Sequence, residues 1–195
     1  MLRLIILCTI VLFSALAQAK PESSVSHAYC LTPSVVKLSQ HPIIIKRLTT
    51  FNARNDVDPA QIDSIWPYLS DNSPYIVPLI NNSASQLLRA YISQVSLTGE
   101  GFLIGLNGGL AATTNRTTDY WQGDEEQFLQ AINLSQGSVH IINSYTDLSA
   151  DSNLDKISTP IFDTTTSAST PIGVLVIGFD SFVLNFKKLC DQPSD

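Results

Sequence analysis

The densest run of chemically capable side chains in this sequence is Thr113-Thr114-Asn115-Arg116-Thr117-Thr118-Asp119-Tyr120-Trp121-Gln122-Gly123-Asp124-Glu125. Arg116 could clamp a carboxylate with its forked donors, Asp119 could accept from an amine, and Tyr120 and Trp121 could wall a pocket. The run falls between an expected strand end and an expected helix start, where loop side chains and helix N-terminal N–H groups can converge on one small ligand. The same residues admit a plainer arrangement, in which Trp121 packs the loop onto a sheet while Asp119 and Asp124 merely cap.

Bond-breaking chemistry has less support. No Gly-x-Ser-x-Gly elbow occurs, and Gly99-Glu100-Gly101 lacks the third glycine of a dinucleotide fingerprint. Asp151-Ser152-Asn153-Leu154-Asp155 opens like a calcium loop, but Lys156 stands where that loop needs glycine and Phe162 where it needs a bidentate glutamate. Asp119 with Glu125 could serve glycoside hydrolysis, yet such pairs arise by chance in an acidic chain. The histidines, His27, His41 and His140, match no zinc spacing. Asn81, Asn115 and Asn133 head glycosylation sequons, which bear only on a eukaryotic secretory route. The expectation is a binding protein with no enzymatic activity, no cofactor and no metal.

Composition narrows the partners. Of 195 residues, 44% are hydrophobic and 14% charged, with a net charge of −6, which suits one globular domain able to bury a core. Lys and Arg are scattered and outnumbered, so no patch could neutralise a run of phosphates, and nucleic acid is excluded as a partner.

The start of the chain sets the expected compartment. Arg3 precedes an apolar stretch over 4–17, and Ala17-Gln18-Ala19 places small residues where a signal peptidase reads. The stretch is shorter than the roughly 20 apolar residues of a membrane anchor. The reading is therefore a signal peptide over 1–19 and a single domain over 20–195, periplasmic or secreted, with no membrane span in the mature form. The apolar run over 172–179 is far below spanning length. Cys8 leaves with the signal. In an oxidising compartment Cys30 and Cys190 are expected to pair, the alternative being two free buried thiols.

The elements that must position the loop read as helices first and strands second. Thr32-Pro33 signals a helix start, and an apolar face resumes after Pro42 with Ile44, Ile45, Leu48 and Phe51. Asp58-Pro59-Ala60-Gln61 repeats the start signal as a capping box, with Pro67 ending or kinking that helix. Ser73-Pro74 opens a short helix and Ser83 caps another carrying Leu87, Leu88, Tyr91, Ile92 and Val95. A hairpin follows over 102–114 around Asn107-Gly108-Gly109. Asp124-Glu125-Glu126-Gln127 offers a further capping box, strands are expected over 139–144, 156–162 and 172–179, and Asp180-Ser181 caps a last helix through Lys188. Pro160 belongs at a sheet edge or bulge. The plan is α+β.

A resemblance adds to this. Thr114-Asn115, Thr118-Asp119-Tyr120-Trp121-Gln122-Gly123-Asp124-Glu125, Pro160-Ile161-Phe162-Asp163 and Pro171-Ile172-Gly173-Val174-Leu175-Val176-Ile177-Gly178-Phe179-Asp180 resemble the Cache family, also called PDC or extracellular PAS-like sensor domains, over about residues 73–180. The resemblance implies a five-stranded antiparallel sheet preceded by N-terminal helices and followed by a C-terminal helix. It implies capture of a small polar metabolite, a carboxylate, amine or amino acid, with Arg116, Asp119, Tyr120 and Trp121 facing the pocket and Tyr145 and Asp147 opposite. It also implies that the bound state is presented to a membrane-bound signalling protein. Both ends of such a domain lie on one side, so a Cys30–Cys190 bond would replace the tethering that two membrane spans give.

Overall fold

A computed structural model describes residues 25–54, 58–95, 99–143, 154–165 and 169–179. Tyr145, Asp147, Cys190, the expected signal and the expected last helix lie outside these residues.

Five antiparallel strands form one sheet in the order β2-β1-β5-β4-β3, with β1 at Gly99–Gly105, β2 at Leu110–Thr113, β3 at His140–Ile142, β4 at Asp155–Phe162 and β5 at Pro171–Phe179. Because side chains alternate along a strand, the register sorts residues into two faces. Leu103, Leu175, Ile157, Ile161 and Ile177 face the helices α1 (Val25–Ser39), α2 (Pro42–Asn52) and α5 (Ser83–Gln94), forming a continuous apolar core with Leu31, Val35, Ile44, Leu48 and Leu88. Phe102, Ile104, Leu110, Val174 and Val176 form a second core on the opposite face, under α3 (Pro59–Ile65), a 3₁₀ turn at Trp66–Tyr68, α4 (Val77–Ile80) and α6 (Glu126–Leu129). All the described helices but α6 precede the sheet, and long ones cover one face while short ones cover the other.

Several starts differ from expectation. The first helix runs through Thr32-Pro33 rather than beginning there, because Ala28, Leu31, Val35 and Leu38 make one buried stripe across the proline while Pro33 sits on the exposed side. The cap of α5 is Asn82, whose side chain accepts from Ser85 N–H at 3.0 Å, one residue before the serine singled out. At α6 the N-cap Glu125 makes no side-chain cap bond, so the Asp124-to-Gln127 capping box does not form. Ser73 caps a turn, accepting from Ile76 N–H at 3.2 Å, and the helix proper begins at Val77. Asp58 caps α3 as its sequence asks, accepting from Ala60 N–H at 3.0 Å, and α3 gives way at Trp66-Pro67 to the 3₁₀ turn. Pro160 lies on β4 beyond the reach of β3, which pairs only with 156–158, so its missing N–H falls on a local sheet edge.

Three arginines close backbone ends that a sheet and its loops would otherwise leave open. Arg47 of α2 donates to Ala111 C=O on edge strand β2 at 2.6 Å. Arg89 of α5 bridges Thr114 C=O and Ile80 C=O at 3.1 and 2.9 Å. Arg116 is the third, and it belongs to the candidate site. Among the described residues, no helix is long and apolar enough to cross a membrane, and no group of three His, Cys, Asp or Glu could hold a metal.

Candidate functional site

The loop leaving β2 doubles back, and Tyr120 C=O accepts from Leu110 N–H at 3.2 Å while Gln122 N–H reaches Gly108 C=O at 2.8 Å. This return holds the loop along the sheet edge and sets its side chains against α3 and the 3₁₀ turn. Two segments distant in sequence are then clipped together. Asp63 Oδ1 accepts from two successive backbone N–H groups, Tyr120 at 2.8 Å and Trp121 at 2.9 Å. Trp66 Nε1 donates to Thr117 C=O at 2.9 Å, and Arg116 donates to Trp66 C=O, Leu69 C=O and Asp71 Oδ1 at 2.5, 2.8 and 3.0 Å.

At the centre of this clip the Trp66 and Tyr120 rings stack obliquely, with centroids 5.4 Å apart, and the Arg116 guanidinium lies 5.7 Å over the Trp66 ring. Trp66 and Tyr120 are both buried in the second apolar core. Burial pushes the Tyr120 hydroxyl up to about 12, against the opposing pull of the Arg54 and Arg47 charges. Trp121 is half-buried and lies outside both cores, its Nε1 donating to Asn107 C=O at 3.0 Å and its ring lying against the bare backbones of Gly108 and Gly123. Gly108 takes φ of +80°, the left-handed turn its hairpin requires. Asp119 is exposed, its carboxylate accepting from Thr118 Oγ1 at 3.2 Å and its carbonyl from Gln122 Nε2 at 3.1 Å.

Arg116, Tyr120 and Trp121 thus meet around Trp66 and Asp63, while Asp119 points outward beside them. Tyr145 and Asp147 lie outside the described residues. Sequence reasoning missed Asp63 and did not link Trp66 to the loop. The signal for Trp66 was its place as the last aromatic of an apolar stripe directly before Pro67; nothing local marks Asp63, since its partners are 57 and 58 residues away.

The sheet face beneath this cap is apolar near the hairpin and polar toward the other end. Thr113, Phe102, Val176, Ser158 and His140 stand in register across all five strands. His140 Nε2 lies 3.0 Å from Glu126 Oε1 of α6, and Gln127 of the same helix donates to Gln122 Oε1 at 3.2 Å. Two residues further along each strand and on the same face come Glu100, Gly178, Lys156 and Ile142. Burial raises the Glu100 carboxyl above its ordinary value, and Lys156 opposes that shift.

A separate cleft of about 300 Å³ opens between α2 and the turn after β4, lined among others by Pro42, Ile45, Lys46 and Thr49. Its carboxylate, Asp163, is engaged by the Thr165 N–H and hydroxyl at 2.9 and 2.6 Å, and none of the residues expected from the sequence to bind ligand lines it.

No family model and no curated protein matches this chain. Among solved structures it is similar to the ligand-binding domain of the Campylobacter jejuni chemoreceptor Tlp3 in complex with 4-methylisoleucine, at 15% identity over 85% of this chain and 62% of that one, with a TM-score of 0.40. The sensory domain of the same receptor with isoleucine bound is 14% identical over 91% of this chain and 70% of that one, with a TM-score of 0.38. Its complex with L-norvaline is 14% identical over 90% and 68%, with a TM-score of 0.40. The chain spans 62% of the length of the first of these structures.

Proposed function

We propose that this chain is an exported sensor domain of the Cache type that captures a small polar metabolite, a carboxylate, amine or amino acid, and presents its bound state to a membrane-bound signalling protein. The observation that carries the reading is the inequality of the two sheet faces. One face is sealed by three long helices over an apolar core, whereas the other is covered by short elements and carries Thr113, Ser158, His140, Glu100 and Lys156. A protein needing only stability would gain by making both faces apolar, since each buried polar group costs free energy unless it is satisfied. The binding residues in this reading are Arg116, Asp119, Tyr120 and Trp121 at the cap, to which the family resemblance adds Tyr145 and Asp147. A signal peptide over 1–19 and a Cys30–Cys190 bond belong to the same proposal, the half-buried Cys30 side chain packing on the helical core.

One observation favours a second reading, a secreted interaction module that keeps this fold and binds no metabolite. Arg116 already donates to two carbonyls and a carboxylate, so a ligand carboxylate would have to displace them. A thermal-shift screen of the exported chain against carboxylates, amines and amino acids separates the two, because a ligand that binds only the folded state raises stability with its concentration. A concentration-dependent rise in Tm supports the sensor; a flat response across the whole screen leaves the module.

A further inference from the structure

We infer that Glu100 and Lys156 form a two-charge subsite for a zwitterion on the sheet itself, with the ligand ammonium on Glu100 and its carboxylate on Lys156. The assignment rests on the ligand-binding reading above and places the specificity away from the loop that the sequence singles out. Its basis is register. Glu100 of β1 and Lys156 of β4 both pair with Gly178 of β5, so two opposite charges flank one residue that has no side chain. They share a face with Phe102, Val176 and Ser158, on the side away from α5, since Gly101 between Glu100 and Phe102 points at Leu88 and Ile92.

Glu100 lies across the glycine. A Cβ placed on Gly178 would meet Glu100 Cγ at 3.1 Å and Oε1 at 3.5 Å, so the carboxylate crosses β5 in the direction of Lys156. Among the described residues, no hydrogen bond or ion pair within 4.0 Å joins Glu100 to Lys156, and neither head group takes another partner. The two backbones stand about two strand spacings apart, roughly 10 Å, with the bare Gly178 between them and Leu154 Cδ1 beside it, 3.4 Å from the same Cβ position. A carboxylate held half out of water without a donor favours the arrival of a cation, and burial already raises its affinity for a proton. An ammonium group supplies the same positive charge with three donors, and a nearby Lys156 then receives the matching anion.

Calorimetric titration of the full exported chain tests this with the twenty L-amino acids, and with the amine lacking the carboxylate and the acid lacking the amine matched to each amino acid that binds. The expected result is that the amino acid binds, and that each truncated probe binds at least tenfold more weakly. Glu100→Gln and Lys156→Met should each weaken the amino acid tenfold or more without lowering the Tm of the free protein. Gly178→Ala should weaken it too, by pushing the Glu100 side chain aside. The double reversal Glu100→Lys with Lys156→Glu should recover binding relative to either single reversal, because a zwitterion can turn round. Unchanged affinity in both Glu100→Gln and Lys156→Met overturns the subsite and leaves the sensor reading standing. Binding of a lone acid or lone amine as tightly as the amino acid also overturns the subsite. Binding of no member of the wider metabolite screen removes the sensor reading itself.

Discussion

Arg116 sits over the ring of Trp66 and donates to the carbonyl of the same residue, 5.7 Å from the ring centroid and 2.5 Å from the oxygen. One side chain thus fixes both the plane of the indole and the turn that carries it, and its second arm reaches Leu69 C=O and Asp71. Arg116→Ala should cost about 1 to 3 kcal/mol of folding stability, the penalty for leaving part-buried carbonyls without a donor. Arg116→Lys should recover little of it, because an ammonium cannot serve two carbonyls with a planar fork. Denaturant unfolding of the two variants reads this directly, and full recovery by lysine contradicts the strap.

The two tryptophans should separate cleanly. Trp66 is 1% exposed within the second core, so Trp66→Ala should cost about 3 to 5 kcal/mol. Trp121 lies on the outer side of the hairpin return, and Trp121→Ala should cost about 1 kcal/mol, chiefly its bond to Asn107. Equal losses in a denaturant series would show that Trp121 carries core weight.

The charge at Glu100 makes stability depend on pH. Burial raises its folded-state pKa, so the folded chain holds the proton to higher pH than the unfolded chain does. That contribution is full below the unfolded value, about 4.3, and is lost as pH rises through the folded value. Glu100→Gln should therefore raise Tm at pH 7, with the gain shrinking toward zero at pH 4. A gain that stays constant across that range contradicts a burial-driven shift.

Tyr120 offers a spectroscopic check on the closed cap. Its hydroxyl is pushed up to about 12, so the stability it contributes is intact below about 10, the unfolded value, and is lost on the way to 12. Burial also raises the Tyr91 hydroxyl, so absorbance at 295 nm should show more than one late-titrating tyrosine, and a late component should be lost in Tyr120→Phe. Titration of every tyrosine near 10 would mean that the ring is open to water.

Much of this was legible in the residues. The short turn-bounded runs of β4 and β5, the Asn107-Gly108-Gly109 turn and the Asp58-Pro59 start all carry local signals that the fold obeys. Thr32-Pro33 misled because a helix-start pair also fits mid-helix when its proline faces water and a buried stripe continues past it. At the site, the loop of Arg116, Tyr120 and Trp121 was visible as a composition, but its arrangement depends on Asp63 and Trp66, which reach it across some fifty residues. The face of Glu100 was legible in its alternation with buried Phe102 and Ile104, although the expected strand began at Phe102 and left it out. Its relation to Lys156 was not, because that pairing exists only through the order of strands.

The chain contains two tryptophans, and both stand at the candidate site, one under Arg116 and one beside Tyr120. Tryptophan emission therefore reports on this place. Titrating the protein with each compound that raises its Tm should give a saturable change in tryptophan emission whose midpoint equals the calorimetric Kd, and the change should shrink in Trp121→Phe. Tight binding by calorimetry with no change in emission would place the ligand elsewhere and contradict capture under the Trp66 and Tyr120 cap.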